Sequence, residues 1–530
     1  MYRKKLVAST TRIIGYARSK LTQQDLVSRI RPFLASKVQK AEEALFEEFL
    51  SQCQYFAGGY DSAESFAGLN TYITEQEAAV GVTGSSNRVF YLALPASVFQ
   101  PVSTCIKENT WSQNGWNRIV VEKPFGRDAA SSDKLSVHLT ALFHESEIYR
   151  IDHYLGKEMV QDLFQLRFGN QMFSSIWNRD NIDNVQVTFK EDFGTQGRGG
   201  YFDSSGIIRD ILQNHLLQVL SVVAMDAPAS LSADDIRTEK VKVLKAIAPI
   251  KVEDCVLGQY LKSTSPPPGN DDAAMGYLDD EGVPDDSVTP TFCTTVLRIN
   301  NPRWDGVPFI MRAGKALDER KAEIRIQFKD VAGSLFPDGT AARNELVVRI
   351  QPDEAVWLKT VGKKPGMSTE LVTTYLDLTY KNRYDDYVTV DAYERLILDV
   401  INGEQQHFVR SDELSEAWRI WTPVLHQMEA ERTKPIPYAY GSRGPPESDE
   451  MITRLGYVKN ESSNPYVNKP TREERRWSSS SSASKGQEEA ATEVSPEKEE
   501  GREQEKRDQK GGLVAVAVSV VVWMLLRRFK

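Results

Sequence analysis

The sequence has few cysteines and no excess of positive charge, and each shortage argues against a class of protein. Its 530 residues include only four cysteines, none of them in a C-x-x-C spacing. Such scattered cysteines fit neither a disulfide framework nor a zinc site, so we expect reduced thiols, no metal and a cytosolic protein. The formal net charge of −9 argues against nucleic-acid binding, because that function needs basic residues to neutralise phosphates.

The opening of the chain lacks acidic residues and a secretory h-region. Its lysines and arginines, with no acid before Asp25, are typical of a mitochondrial transit peptide. The alternative is that residues 11–21 are folded, because Arg12-Ile-Ile-Gly-Tyr has the apolar character of a short buried strand that enters a turn.

Two patterns of hydrophobicity predict two domains. The first part alternates short apolar runs, such as residues 87–95, with helical patterns, which indicates a doubly wound, parallel α/β sheet of the Rossmann-like kind. Further along, runs such as residues 185–189 alternate apolar and polar side chains, which predicts an α+β domain with a large, mostly antiparallel sheet. We assign residues 1–150 to the first domain and residues 151–470 to the second.

The end of the sequence has a different composition. Residues 471–510 combine a serine run with many charged side chains and are too polar to form a core, so we predict a disordered linker. The apolar run that follows, residues 513–526, is roughly 21 Å long as a helix, against a hydrocarbon core of about 30 Å. Two interpretations of residues 511–530 stay open: a membrane anchor helped by snorkelling terminal arginines, or an unstructured or aberrantly translated tail.

Three stretches concentrate side chains that carry chemistry. Residues 150–158 read R-I-D-H-Y-L-G-K-E, His215 lies within an apolar helical pattern, and residues 122–126 read E-K-P-F-G directly after a strand of the parallel sheet. Each stretch alone has a structural explanation: a helix cap, a core histidine and an exit from a strand. Together they place a carboxylate, imidazoles and lysines where doubly wound folds bind ligands.

These stretches, with G-Y-A-R-S at residues 15–19, resemble the glucose-6-phosphate dehydrogenase family from about residue 11 to about residue 468. The resemblance implies oxidation of D-glucose 6-phosphate to 6-phosphoglucono-lactone with reduction of NADP⁺, the entry to the pentose phosphate pathway. It implies that His215 is the general base for the anomeric hydroxyl and that Asp152 orients it. An imidazole is well suited to this role near neutral pH, and an adjacent carboxylate favours its protonated form.

The resemblance also implies which residues bind the ligands. For the substrate these are Lys123, His153, Tyr154, Lys157, Glu191, Asp210, Lys315, Arg320 and Gln351. Lys123 is expected to touch the coenzyme as well. Arg18 is expected to meet the adenosine 2′-phosphate, which is a physical reason for NADP⁺ rather than NAD⁺.

A second basic cluster lies on or beside the antiparallel strands. A solvated sheet face explains it from the sequence alone, whereas the resemblance implies a second, structural NADP⁺ site. The members of that site would be Lys190, Arg312, Lys321, Arg325, Arg349, Lys359, Asp377 and Arg443. The resemblance makes the same sheet a dimer surface, so we expect a homodimer or homotetramer.

The sequence departs from the family pattern at its beginning. Family members open with a strand, a G-x-x-G-D loop and a helix before the R-I-I-G-Y-A-R strand, whereas residues 1–11 contain no glycine. We therefore expect the sheet to lack a central strand and the pyrophosphate cradle, with little activity as a result. Two hypotheses follow: a dehydrogenase, or a catalytically inactive, membrane-tethered partner that dimerises with an intact subunit.

Overall fold

A computed structural model describes most of the chain up to residue 459 and one further strand. The described residues are 1–35, 38–82, 84–266, 269–336, 341–384, 389–459 and 513–518, and the description of 513–518 is limited to the backbone. The predicted linker, residues 471–510, lies outside the described residues.

The strands of the described chain form two sheets, one of six strands and one of nine. In chain order, β1 to β15 are Arg12–Ala17, Cys53–Ala57, Asn87–Leu92, Asn117–Val121, Ile148–Arg150, Ile182–Lys190, Cys255–Leu261, Phe292–Arg298, Pro308–Gly314, Lys321–Phe328, Glu345–Gln351, Ala355–Lys363, Leu371–Thr379, Ile436–Ala439 and Leu513–Val518.

Helices cover both sheets and connect them. In chain order, α1 to α14 are Gln23–Ala35, Glu43–Ser51, Ala63–Ala79, Phe99–Asn109, Ala129–Leu142, Glu158–Phe168, Gln171–Ser174, Gly199–Asp203, Leu217–Ala224, Ala233–Lys245, Tyr380–Arg383, Ala392–Asn402, Ser411–Glu431 and Pro446–Arg454. A 3₁₀ turn, His153–Gly156, follows β5, and a π-helix, Ile208–Leu216, leads into α9.

The first sheet is parallel throughout and has the order β2-β1-β15-β3-β4-β5. Because all strands run the same way, their carboxyl ends meet at one edge, which is where doubly wound folds bind ligands. The Rossmann-like prediction is confirmed. The prediction that residues 11–21 begin a folded element is also confirmed, since Arg12–Ala17 forms β1 with Ile14 and Tyr16 fully buried.

The expectation that this sheet lacks its central strand is wrong. β15 lies between β1 and β3, with Val516 opposite Ile14 on one side and Phe90 on the other. The strand comes from the apolar run near the end of the sequence, whose valines and alanines suit a parallel strand covered on both faces. Neither β1 nor β3 is therefore an edge strand.

The membrane-anchor interpretation of this run finds no support in the structure. Leu513–Val518 is a strand within a sheet rather than part of a helix. Within the described ranges, no helix combines enough length with enough apolar character to cross a bilayer.

The second sheet has the order β13-β12-β11-β10-β6-β9-β8-β7-β14 and is mostly antiparallel, with parallel pairs at β6–β9 and β7–β14. This confirms the predicted α+β character. α13 packs on α5 of the first domain and α10 of the second, and Trp418 Nε1 on α13 donates to Phe125 O at 3.1 Å. The two domains thereby share one core, in which β5 of the first sheet ends beside the π-helix of the second domain.

Candidate active site

The turn after β5 holds the first group of functional side chains. Asp152 caps this turn, because its Oδ1 accepts a hydrogen bond from the backbone N–H of Tyr154 at 3.0 Å. Gly156 ends the turn directly against α12, where an added Cβ would lie only 2.7 Å from Ala392 O. Glycine is therefore required for α12 to approach the turn this closely.

The π-helix brings His215 to Asp152. His215 Nδ1 and Asp152 Oδ1 are 2.6 Å apart, and the two residues are 1% and 2% exposed. The wider π turn re-aims side chains relative to an α-helix and recurs at functional sites. Asp152 Oδ2 is buried and has no hydrogen-bond partner within the described residues, so this carboxylate has an acceptor to spare.

Burial and neighbouring charges have opposite effects on the pKa values of His215 and Asp152. Burial lowers the pKa of His215, since it disfavours the imidazolium, and Asp152 counteracts this by stabilising the positive ring. Burial alone would raise the pKa of Asp152, but His215, the N–H of Tyr154 and Lys123 outweigh it and hold that pKa below its usual value. The pair therefore consists of a carboxylate and a neutral imidazole that is poised to accept a proton.

Aromatic rings fix the position of His215. Tyr154 stacks on it with ring centroids 4.7 Å apart and planes at 21°, while His153 meets it edge-on at 4.5 Å. Tyr393, at the start of α12, stacks in turn on His153 at 5.7 Å. The sequence reasoning did not find Tyr393, because it is some 240 residues from His153 in the chain and no motif surrounds it.

Asp152, His153 and His215 also offer donor atoms to a metal ion, since one ligand atom from each lies within 4.8 Å of the others. Two imidazoles and a carboxylate are chemically suited to a divalent transition metal. However, the Asp152 oxygen nearest His215 already accepts two hydrogen bonds, from His215 Nδ1 and the N–H of Tyr154. This is the arrangement of an oriented base.

Lys123, just beyond β4, reaches the same pocket from the first domain. Its Nζ donates to the backbone oxygen of Asp210 at 2.8 Å and to Asp210 Oδ1 at 3.2 Å. Burial would raise the pKa of Asp210, but Lys123 and Lys315 outweigh it and hold the pKa far below its ordinary value. Asp210 is thus a buried carboxylate that stays ionised and can accept hydrogen bonds.

The second domain contributes a matching pair. Lys315, directly after β9, lies 2.5 Å from Glu191 Oε2, and the cations of Lys315 and Arg320 each lie 5.8 Å from the centre of the Phe193 ring. Burial lowers the pKa of Lys315, but Glu191 and Asp210 outweigh that effect and leave it raised. Phe193 was also missed by the sequence reasoning.

The remaining predicted substrate residues lie around this pocket at different depths. Gln351 Nε2 donates to the Tyr154 hydroxyl at 3.5 Å, so the end of β11 reaches the turn after β5. Lys157 is partly buried and Arg320 is exposed, so both can reach a solvent-facing group of a bound molecule. The structure therefore brings Asp152, His215, Lys123, Asp210 and Tyr154 together where the two domains meet.

Two cations, Arg18 and Lys123, lie at the carboxyl edge of the first sheet, beyond β1 and β4. Arg18 lies exposed just beyond the carboxyl end of β1, with its guanidinium 5.1 Å from the centre of the Tyr60 ring. A guanidinium above an aromatic ring at this edge can bind a phosphate on an adenosine ribose. Lys123 lies at the carboxyl end of β4 on the other side of the switch point, beside His215.

A separate cavity of about 230 Å³ lies on the large sheet, and most of the predicted second basic cluster lines it. Arg349 and Asp377 are not among the described residues that line it. The sequence reasoning missed several polar groups of this wall, Gln186, Thr188, Asp449 and Tyr457 among them.

Several of the charges around this cavity are buried, which argues against the solvated-face explanation. Lys190, Arg312 and Lys359 are 3%, 5% and 6% exposed, and Glu323 and Glu345 are 1% and 0% exposed. The described ion pairs join seven cations to five carboxylates, which leaves two positive charges in excess. An anionic ligand would complete this arrangement.

Individual groups in the cavity support the same conclusion. Burial lowers the pKa of Lys190 and of Arg312, which means that both cations lack full compensation. Arg312 Nε is also a buried donor without a described partner. Burial would raise the pKa of Glu323, but Arg325, Lys321 and Arg349 outweigh it and hold that pKa at about 2, so this acid stays charged within the cluster.

Two family models match this chain, and together they cover nearly the same residues as its two domains. The family model "Glucose-6-phosphate dehydrogenase, NAD binding domain" matches residues 1–162, and "Glucose-6-phosphate dehydrogenase, C-terminal domain" matches residues 164–460. This chain belongs to the glucose-6-phosphate dehydrogenase family. Residues beyond 460, including β15, lie outside both family matches.

Glucose-6-phosphate dehydrogenases from animals and plants are similar to this chain. Glucose-6-phosphate 1-dehydrogenase of Ceratitis capitata is 56% identical over 457 residues, which cover 86% of this chain and 85% of that protein. A cytoplasmic glucose-6-phosphate 1-dehydrogenase of Arabidopsis thaliana is 54% identical over 455 residues, with coverage of 84% and 85%.

Solved glucose-6-phosphate dehydrogenase structures share the fold. One, in complex with its substrate glucose-6-phosphate, has a TM-score of 0.81 at 48% identity and covers 87% of this chain and 93% of its own. The Mycobacterium avium enzyme has a TM-score of 0.74 at 31% identity, with coverage of 88% and 93%. The roles of individual residues in this chain remain predictions.

The electrostatics of the pocket predict opposite effects of two substitutions on His215. Asp152→Asn removes the charge that raises the pKa of His215, so its protonation midpoint falls. Lys123→Met removes a charge that lowers it, so the midpoint rises. Nuclear magnetic resonance titration of ¹⁵N-labelled imidazoles measures both, with His215→Asn used to assign one signal among six histidines. Shifts of equal sign in the two variants would contradict this account of the pocket.

Proposed function

We propose that this chain oxidises D-glucose 6-phosphate to 6-phospho-D-glucono-1,5-lactone and reduces NADP⁺, the first step of the pentose phosphate pathway. The observation that carries the proposal is the buried hydrogen bond between His215 and Asp152, at the edge of a doubly wound sheet and beside two lysine–carboxylate pairs. Membership of the glucose-6-phosphate dehydrogenase family supports the same reaction.

Removal of the hydroxyl proton is the role proposed for His215. Its Nδ1 is engaged by Asp152, which leaves Nε2 as the nitrogen that accepts the proton of the anomeric hydroxyl. NADP⁺, when bound, supplies the acceptor for the hydride that leaves the same carbon. Asp152 stabilises the imidazolium that forms, since it stays ionised beside the ring.

Two sets of side chains are proposed to hold the substrate. Lys157, His153 and Tyr154 bind its phosphate from the turn after β5, and Lys315 and Arg320 approach from the second domain. Because a sugar phosphate carries two negative charges, a group of cations and polar hydrogens is the environment it requires.

The sugar ring is proposed to lie between the carboxylates and the base. Asp210, Glu191 and Gln351 accept or exchange hydrogen bonds with its hydroxyls. The two acids are already held ionised or paired by Lys123 and Lys315, so they need no rearrangement to act as acceptors.

The coenzyme is proposed to extend along the carboxyl edge of the first sheet. Arg18 binds the adenosine 2′-phosphate, and Lys123 contacts both coenzyme and substrate near His215. Completion of the sheet by β15 weakens the case for an inactive dimerisation partner.

The cavity on the large sheet is proposed to bind a second, structural NADP⁺. The excess of buried cations and the unpartnered Nε of Arg312 fit its phosphates, and Trp357, which also lines the cavity, offers an aromatic surface. Asp377, on the neighbouring strand β13, is exposed and available to a group that extends beyond the cavity.

Assembly as a homodimer or homotetramer in the cytosol is also proposed. The outermost strand of the large sheet, β13, has one unpaired edge to which a second copy could add, and Leu376 on this strand is 64% exposed. The four free cysteines suit a reducing compartment, and relatives from Arabidopsis thaliana and Solanum tuberosum are named as cytoplasmic.

Replacing the base tests the chemical step. His215→Asn should lower kcat by at least about 10²-fold and leave binding of glucose 6-phosphate intact, because the proton acceptor alone is lost. The measurement is NADPH formation together with substrate affinity by calorimetry. The matched control is His138→Asn, a partly buried helical histidine bonded to Ser103 on α4, which should retain turnover. Turnover near wild type in His215→Asn would refute the assignment.

Replacing a phosphate ligand tests the substrate. Lys157→Ala should raise KM for glucose 6-phosphate by about 10- to 100-fold and change that for free glucose little, since one charge-assisted contact to phosphate is lost. Lys134→Ala, an exposed lysine on α5, is the control and should change neither value. An equal rise in KM for glucose 6-phosphate and for free glucose would count against phosphate binding at Lys157.

Counting bound coenzyme tests the second NADP⁺. Equilibrium dialysis should find two NADP⁺ per wild-type chain and one in Lys359→Met, because Lys359 lines the cavity. The control is Lys364→Met, which removes a half-exposed lysine that follows β12 and pairs with Glu370. This variant should still bind two NADP⁺ per chain. A wild-type stoichiometry of one, or no difference between the variants, would exclude this site.

A further inference from the structure

β15 is separated in sequence from the rest of the described chain. Fifty-three residues lie between Lys459 and Leu513, and the family match ends at residue 460. Even so, β15 is one of the two central strands of the first sheet, with neighbours on both sides. A segment outside the family's common region thus fills a place that the rest of the sheet leaves open.

The backbone N–H and C=O groups of β1 and β3 form the position that β15 occupies between them. Ile13 N donates to Gln52 O on the β2 side of β1, and Arg88 N donates to Trp116 O on the β4 side of β3. Because successive residues of a strand point their N–H groups to opposite sides, Ile14, Tyr16, Val89 and Tyr91 turn theirs towards β15. Without β15, two buried rows of donors and acceptors would lose their partners.

The direction of β15 puts one of its ends at the carboxyl edge of the first sheet, where doubly wound folds bind ligands. β15 is parallel to β1 and β3, so its carboxyl end lies beside the ends of both, where Arg18 follows β1. The separation of β1 from β3, and hence the width of the crevice at the switch point, is set by the strand between them, since neighbouring strands lie about 4.8 Å apart.

We propose that the segment Leu513–Val518 is a docking strand that completes the coenzyme domain of its own chain, and that the domain becomes rigid only when this strand is bound. The connection within one chain favours its own sheet over that of a second copy, because a tethered segment has an effective concentration on the order of mM. The proposal concerns the fold of the domain and holds whichever reaction the chain catalyses.

A proline in the middle of β15 tests the proposal in the full-length chain. Val516→Pro removes the central N–H of the strand and is incompatible with an interior position, so β15 should dissociate. The measurement is residue-resolved hydrogen exchange. Ile14, Tyr16, Val89 and Tyr91 should lose protection by at least about 10-fold relative to Ile13, Gly15, Arg88 and Phe90, whose N–H groups face other strands. Loss of protection in both sets would also support the proposal, because the whole sheet would then depend on β15.

The matched control is Val521→Pro, the same change in the same apolar run beyond the strand, which should leave both sets protected. A peptide of residues 511–523 added to Val516→Pro should restore protection, and the same peptide carrying proline at 516 should not. Unchanged exchange in Val516→Pro would overturn the proposal, and so would wild-type protection that falls on dilution, which would indicate a strand from a second copy. Binding of the wild type to phosphatidylcholine vesicles with loss of protection at the four amides would instead assign the run to a bilayer.

Discussion

The hydrogen bond between Asp152 and His215 fixes the relation between the two halves of this protein. Asp152 follows β5, an edge strand of the parallel sheet, while His215 belongs to a π-helix that packs against the large mixed sheet. Both groups are almost fully buried, so the bond forms only when the two domains share one core. The same closure brings Lys123 of the first domain to Asp210 of the second.

Sequence reasoning found those parts of the site that are encoded locally. The stretch at residues 150–158 keeps Asp152, His153, Tyr154 and Lys157 within one turn, so a motif is enough to place them together. The apolar spacing around His215 predicted a buried helix, but not its π geometry, which depends on tertiary packing.

Other parts of the site arise from contacts between distant segments. Tyr393 stacks on His153 from the start of α12, and Asp449 pairs with Arg312 from a helix more than 130 residues away. Neither pairing leaves a local pattern. β15 was misinterpreted for a related reason: length and hydropathy do not distinguish a buried parallel strand from a short membrane segment, and its partner strands β1 and β3 lie more than 400 residues earlier in the chain.

The order of strands in the first sheet has a consequence for how the protein is made. β1 to β5 are complete once residue 150 has been synthesised, whereas β15 begins 363 residues later. At about 5–20 residues per second, the ribosome needs roughly 20–70 s to produce the intervening chain. Throughout that interval β1 and β3 each present an unpaired edge, the kind of surface on which nascent chains aggregate. Biogenesis of this protein therefore calls for a chaperone, or a temporary occupant, that shields the gap until the last strand emerges.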